Sequence, residues 1–209
     1  MFACAPVAQP LLPDWHHSLE QYLDLVGLHG IPEADRPKRC PKGCACVSHR
    51  HSHFERTAVT DSRRERIYIF RFRCPSCGYV YSIIPAFLEP YQQISLDLQE
   101  DLVNAVLQGA TVEAVVEATD GLPGGGFVEQ TIGRLIRSWN ERLIQLESGI
   151  WKWMLARAPH LTLSRSASLW EQLRNGWQAI RTQIAAVREI RFLHGLNRLC
   201  FSLAVTAHG

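Results

Sequence analysis

The sequence lacks any uninterrupted apolar run long enough to cross a membrane, and its mean hydropathy is −0.08. No lysine or arginine precedes the three prolines of the first thirteen residues, so a secretory signal peptide is not expected. Net charge is nearly absent, because 22 Lys and Arg residues oppose 20 Asp and Glu residues. We therefore expect a cytoplasmic protein without a membrane partner. Its 209 residues, 46% of them hydrophobic, suffice for one compact domain or two small ones.

Signatures of common catalytic sites are missing as well. The glycine run at 124–126 is not followed by the Lys-Ser/Thr pair of a phosphate-binding loop. After residue 92 the acidic residues fall on helical patterns, so a strand-borne carboxylate set for catalytic magnesium is not expected. We predict a protein that is not an enzyme and has no small-molecule substrate.

Positive charge is concentrated in one short stretch. Residues 1–35 contain five acidic residues and no Lys or Arg, whereas residues 36–77 contain eleven Lys and Arg residues and three acidic ones. Such a segment in an otherwise neutral chain is typical of a module that binds a polyanion.

Five of the seven cysteines lie in this basic stretch. Cys74-Pro-Ser-Cys77-Gly has the spacing of a metal-binding knuckle, and Cys40 can form a second knuckle with Cys44 or Cys46. We predict one zinc ion per chain held by Cys40, Cys44, Cys74 and Cys77, with Cys46 as the alternative second ligand. Four thiolates leave no open coordination position, so this zinc would be structural.

Three histidines follow the first knuckle, at His49, His51 and His53. Imidazole also binds zinc, and these side chains are alternative ligands. Otherwise they are expected to lie in a polar loop.

The periodicity of the first half predicts one helix and several strands. The helix spans about 14–26 with Asp14 as its N-cap, and its acidic side is expected to be solvated, with packing against the basic region as the alternative. An antiparallel turn is expected at 60–65. The expected strands are 54–60, 66–73 and 79–84.

A helix-turn-helix pattern follows. Ser95 and Thr111 are placed to cap two short helices, and a third helix begins near Phe127 after a glycine-rich loop. Its exposed side would present base-contacting side chains, and an ordinary helical bundle is the alternative. These side chains are Gln130, Arg134 and Arg137.

Two heptad seams occupy the C-terminal part, over 132–153 and 170–187. We expect them to form an antiparallel hairpin in which Trp153 lies near Trp170, and Trp139 lies near Ile184 and Val187. An apolar surface is expected to remain for a protein partner or a homodimer, formed by Leu193, Leu196, Leu199 and Phe201.

The segment from Arg71 to Tyr91, RFRCPSCGYVYSIIPAFLEPY, resembles the zinc-ribbon segment of bacterial proteins associated with insertion sequences. The preceding HSHFER, from His51 to Arg56, is similar to the His-Gly-x-Tyr-x-Arg element of that group, with Ser52 in place of glycine. The similarity covers roughly residues 38–140. It implies transposase-like DNA-binding proteins in which the ribbon acts together with helix-turn-helix helices.

These patterns together predict an α+β protein. The expected parts are an N-terminal helix and linker at 1–37, a zinc ribbon at 38–92, helix-turn-helix-like helices at 93–145, and a helical hairpin with its tail at 146–209. The expected function is duplex DNA binding at the nucleoid. The alternatives are a protein-interaction subunit of a nucleoprotein assembly, or an RNA-binding module that stacks bases on Tyr68, Phe70 and Phe72. The expected phosphate contacts are Arg63, Arg64, Arg66, Arg71 and Arg73.

Overall fold

The computed structural model describes residues 18–26, 30–33, 36–123, 126–161, 168–184 and 187–197. The chain divides into two compact units, the first running to Leu96 and the second beginning at Asp97. A small antiparallel sheet forms the centre of the first unit, and helices make up the second, so the protein is α+β as predicted. The finer division at residues 38, 93 and 146 stays a prediction.

The sheet has three antiparallel strands in the order β1-β2-β3. Strand β1 (His49–Val59) begins earlier than expected, β2 (Arg64–Arg73) follows a tight turn, and β3 (Val80–Ser82) is short. The turn lies where the sequence predicts it. The backbone N–H of Thr60 donates to the carbonyl of Arg63 at 2.9 Å.

Strand β2 contributes buried side chains to both faces of the sheet. Ile67 and Ile69 are buried on one face, and Phe70 and Phe72 are buried on the other. Tyr68 alone among its three aromatic residues is well exposed, at 45%. Two of the three rings considered for base stacking therefore belong to the core.

Helix α1 (Leu19–Val26) packs on this core through Leu19, Tyr22 and Val26. The hydroxyl of Ser18 accepts a hydrogen bond from the Gln21 backbone at 3.1 Å, as an N-cap does. The predicted cap, Asp14, lies outside the described residues.

The expectation that the acidic side of α1 is merely solvated is wrong for Glu20. Its carboxylate accepts two hydrogen bonds from the guanidinium of Arg63, at 2.9 and 3.1 Å. This contact agrees with the alternative, in which the helix packs against the basic region.

The helices that follow include α2 (Leu96–Leu107), α3 (Val112–Thr119), α4 (Glu129–Arg157) and α5 (Leu169–Gln183). Thr111 caps α3 as predicted, because its hydroxyl accepts from the backbone N–H of Ala114 at 3.2 Å. The third helix of the pattern begins at Glu129 rather than near Phe127, and its N-cap, Val128, makes no side-chain capping hydrogen bond.

The predicted antiparallel hairpin is wrong in direction. The ring of Trp139 lies 6.4 Å from that of Trp170, and the ring of Trp153 lies 5.6 Å from that of Trp177. The residue nearer the C-terminus of α4 pairs with the residue nearer the C-terminus of α5, so the two helices pack in a parallel sense. The ten peptide steps from Ala158 to Ser168 can span roughly 33 Å, so the connection does not force the second helix to fold back.

The expectation of a residual apolar surface is also wrong where the structure describes it. Leu193 and Leu196 are fully buried, and the other two residues of that set, Leu199 and Phe201, lie outside the described residues. The backbone N–H of Leu193 donates to the buried carboxylate of Glu100 at 2.9 Å. The described segment around Leu193 and Leu196 is thus part of the second unit's core.

Candidate metal centre and basic surface

The second knuckle carries hydrogen bonds typical of a metal-binding turn. The carbonyl of Cys74 accepts from the backbone of Gly78 at 2.9 Å, and the Cys74 amide donates to the carbonyl of Tyr79 at 2.9 Å. Gly78 has a φ of 72°, a left-handed conformation that glycine adopts at little cost. Local sequence therefore determines this turn, as predicted.

The first knuckle has related backbone hydrogen bonds, although one residue more separates its two cysteines. The carbonyl of Cys40 accepts from Gly43, whose φ is 85°, and the Cys40 amide donates to the carbonyl of Cys44 at 3.0 Å. The backbone N–H of Lys42 points at the sulfur of Cys40 at 3.3 Å. Each of the two backbone–backbone bonds spans one residue fewer than in the second knuckle, and Gly43 precedes the second cysteine whereas Gly78 follows it.

Four sulfur atoms meet where the two knuckles approach each other. The Sγ atoms of Cys40, Cys44, Cys74 and Cys77 all lie within 4.8 Å of one another, and those of Cys40 and Cys77 are 3.6 Å apart. These are the four ligands that the sequence predicts. The cluster can hold one metal ion.

The fifth cysteine adjoins this cluster. The sulfur of Cys46 lies 3.3 Å from that of Cys74, although Cys46 is not one of the four cysteines whose sulfurs all lie within 4.8 Å of one another. The geometry therefore favours Cys44 as the second ligand, and Cys46 contacts the cluster from outside.

The thiols have unequal acidities. Burial opposes ionisation of Cys74, but hydrogen bonds from the backbone of Cys77 and from the Cys46 thiol lower its pKa to about 6. The neighbouring Cys77 thiol raises the pKa of Cys44 to about 12, and burial raises the pKa of Cys40. Together these shifts favour ionisation of one sulfur over its neighbours. A bound cation would supply the positive charge that lets the other sulfurs ionise too.

The three histidines considered as ligands lie elsewhere. His49, His51 and His53 are exposed residues of β1, not of a loop, and none of them belongs to the sulfur cluster. The ring of His53 packs edge-on against Tyr68 at 4.9 Å, and the Nδ1 atom of His51 lies 3.0 Å from the hydroxyl of Ser52.

The five arginines that the sequence predicts as phosphate contacts differ in their partners. Arg63 pairs with Glu20 at 2.9 Å, and Arg66 pairs with Glu55 at 3.3 Å. Arg71 and Arg73 are exposed on β2 and form no ion pair with any described residue; Arg64 is also exposed.

The predicted base-contacting residues lie on one part of α4. Gln130, Arg134 and Arg137 are all exposed, and the Nε atom of Arg134 donates to the Gln130 carbonyl at 3.2 Å. Helix α3 packs against α4, as a helix-turn-helix requires.

Sequence reasoning missed the role of Arg56. Its guanidinium donates to the carbonyls of Glu89 and Gln92, at 2.7 Å for the first, and so holds a turn 33 residues away. The sequence did point to this role, because the two segments that resemble insertion-sequence proteins contain Arg56 and the Pro90-Tyr91 pair.

No helix within the described ranges is long and apolar enough to cross a membrane.

A family model described as a domain of unknown function (DUF6431) matches residues 40–135. The matched segment starts at the first cysteine of the metal cluster and ends within α4, so it includes the whole sheet, α2 and α3. No curated protein and no solved structure matches the chain significantly.

Proposed function

We propose that this chain is a non-catalytic, zinc-stabilised DNA-binding protein. The observation that carries the proposal is the exposed pair Arg71 and Arg73, which lies on the strand that leads into Cys74 and makes no ion pair with a described residue. Guanidinium groups without an internal partner are available to phosphates, and a sheet that ends at a metal site holds them in fixed positions.

Zinc is the metal that the four thiolates fit best. A regular tetrahedron with Zn–S bonds of 2.3 Å has sulfur atoms about 3.8 Å apart. The separation of 3.6 Å between Cys40 and Cys77 is close to that value, and the N–H groups directed at the sulfurs stabilise thiolates. When bound, the ion would crosslink two knuckles and leave no position for substrate.

The second contact surface in this proposal is the N-terminal half of α4. Gln130, Arg134 and Arg137 are exposed there, and arginine and glutamine side chains can each form two hydrogen bonds to a base edge. The resemblance to insertion-sequence proteins supports DNA as the ligand and a transposon-associated role at the nucleoid.

The alternatives receive less support. A protein partner would need exposed aromatic anchors, but of the four tryptophans on the heptad seams Trp139, Trp170 and Trp177 are each at most 2% exposed, and Trp153 is half-buried. Burial of Phe70 and Phe72 likewise leaves only Tyr68 of the three rings proposed to stack on RNA.

Titration of duplex DNA over a range of salt concentrations tests the proposal. Binding should weaken steeply with salt, with a logarithmic slope of about 0.9 per phosphate contact. The double variant Arg71→Gln/Arg73→Gln should bind all sequences more weakly and reduce that slope by about 2.

The matched control is Arg63→Gln/Arg66→Gln, which removes the same charge from residues that already pair with Glu20 and Glu55. Its salt slope should change less. Binding that is insensitive to salt, or equally tight in the Arg71/Arg73 variant with its metal content intact, would contradict the proposal.

A further inference from the structure

A cleft of about 420 Å³ opens on one face of the sheet. Strand pairing aligns Ser52, Arg71 and Ser82 across the three strands, and Phe54 lies two residues along β1 on the same face. Aromatic rings and arginines line much of the cleft, and none of its ten lining residues is acidic. Its volume is in the range of small-ligand sites.

Tyr91 lies at the rim of this cleft in an unusual backbone conformation. Its φ is 65°, and among the described residues it is the one non-glycine residue with a positive φ. The backbone N–H of Gln92 donates to the carbonyl of Glu89 at 3.2 Å, so Pro90 and Tyr91 occupy the central positions of a turn. A positive φ at the second of these positions is normally a place for glycine or asparagine. Here it carries a tyrosine that is 87% exposed.

A side chain of β1 stabilises this strained turn. Arg56, on β1, donates to the carbonyls at both ends of the turn, those of Glu89 and Gln92. Backbone strain that the surroundings maintain is concentrated at ligand-binding sites. The backbone that carries Tyr91 is thus held by Arg56, while its exposed side chain contributes little to the core.

The cleft also carries a cation. Arg71 is exposed within it and pairs with no acidic residue of the described chain. Phe54, 42% exposed, and Tyr79 supply further rings beside it. Several rings next to a guanidinium that has no acidic partner match a planar aromatic group attached to an anion.

We propose that this cleft binds an unpaired nucleotide of a nucleic-acid strand, with its base on the ring of Tyr91 and its phosphate on Arg71. Inside a duplex, neighbouring base pairs cover both faces of each base, so apart from the strand ends only an unpaired base can offer a face to Tyr91. This inference rests on the proposed nucleic-acid function and adds a preference for bulged, frayed or single-stranded sites.

The test uses the full-length, zinc-loaded chain and four fluorescent probes of one sequence. These are a perfect duplex, the same duplex with one unpaired adenine, the single DNA strand and the single RNA strand. The variant Tyr91→Gly removes the ring and relieves the positive φ, so a loss of binding cannot come from backbone strain. Tyr91→Phe retains the ring, and Tyr68→Ala removes an exposed ring from the other face of the sheet as a matched control.

The parent should prefer the bulged duplex and a single strand to the perfect duplex. Tyr91→Gly should weaken binding to the unpaired probes about tenfold, the loss expected for one stacked base, and leave the perfect duplex unaffected. Tyr91→Phe and Tyr68→Ala should bind like the parent. RNA bound through Tyr91 supports the cleft and identifies ribose as acceptable.

Two results would overturn the inference: no preference for unpaired probes, or undiminished binding of those probes by Tyr91→Gly. If duplex binding persists in either case, the proposed function survives while the cleft assignment fails. If the perfect duplex is not bound but a single strand is bound through Tyr91, duplex recognition fails and the cleft assignment survives.

Discussion

In the first unit five cysteines gather at one end of a three-stranded sheet, whereas the described part of the second unit contains none. The second unit is held by large apolar side chains, of which Trp139 and Trp170 are almost fully buried. Both indoles also donate hydrogen bonds to α2, to Gln99 at 2.8 Å and to Asn104 at 2.9 Å.

Because of this difference, the two units should respond to different perturbations. Thiolate sites lose their structure when the metal is removed, because ligand binding and folding are one equilibrium. A core of tryptophans and leucines depends instead on packing volume. Metal removal should therefore affect the first unit, and large-to-small substitutions in α4 or α5 should affect the second.

Loss of a metal ligand is the change with the largest expected effect. Cys74→Ser should release the metal and expose residues 40–82 to hydrogen exchange, because structural zinc contributes roughly 10 kcal/mol or more to such sites. Tryptophan fluorescence should be nearly unchanged, since five of the six tryptophans lie in the second unit. Elemental analysis and exchange mass spectrometry measure the two outcomes.

Cys46→Ser is the matched control. Because the Cys46 sulfur lies outside the group of four, this variant should retain one metal ion per chain. Loss of the metal from Cys46→Ser and its retention in Cys44→Ser would make Cys46 the ligand instead.

Truncation in the second unit should give the next largest effect. Trp139→Ala removes a buried indole and its hydrogen bond to Gln99, at an expected cost of about 3–5 kcal/mol in the free energy of unfolding. Urea titration followed by fluorescence measures this, in a Trp15→Phe background so that every tryptophan belongs to the second unit. Metal content should stay at the parental value; its loss would show that the units do not respond separately.

The features that the sequence predicts are those that depend on local sequence. The knuckle at Cys74, the turn at Thr60 and the cap at Thr111 depend on residues within a few positions of one another, and all three are found as expected. Heptad spacing likewise predicts which faces of α4 and α5 are buried, because periodicity is a local property.

Long-range partners were not predictable in the same way. Heptad spacing contains no information on the direction in which two helices pack, so the pairing of Trp139 with Trp170 was missed. The contact between Arg63 and Glu20 joins residues 43 positions apart. Many acidic residues could have paired with Arg63, and only the tertiary fold selects one.

A smaller effect is expected at Glu100 in the second unit. Burial raises the pKa of this carboxyl above 4.5, although the Leu193 amide and Arg191 oppose the shift. A raised pKa means that the folded chain binds the proton more tightly. The associated stabilisation is complete below about pH 4.5 and is lost as the pH rises through the folded-state value.

The glutamine of the Glu100→Gln variant cannot ionise. The free energy of unfolding of this variant should therefore increase relative to that of the parent as the pH rises from about 4 towards neutrality. Urea titrations of tryptophan fluorescence across that range measure the difference. A constant difference between variant and parent would contradict the raised pKa. Glu20→Gln, which changes the first unit, should show no such trend in the same fluorescence signal.

The smallest effect should come from Glu20 itself, and its sign with pH is opposite. A hydrogen bond from its own backbone N–H, assisted by Arg63, lowers the pKa of Glu20 below 4.5. The stabilisation is present above that value and is lost as the pH falls through the folded-state pKa. Since the Arg63 and Glu20 side chains are 40% and 50% exposed, the pair should contribute only about 0.2–1 kcal/mol, and less at high salt.

A double-mutant cycle of Glu20→Gln and Arg63→Gln isolates this pair, with hydrogen exchange of the α1 and β2 amides as the measure of first-unit stability. The coupling free energy should be positive at neutral pH and vanish in acid. If it instead grew as the pH fell, the carboxylate would not be the ionised partner of Arg63, and the helix would be docked on the basic turn by its apolar face alone. That face, formed by Leu19, Tyr22 and Val26, is unaffected by either substitution, so both single variants should keep α1 folded against the sheet.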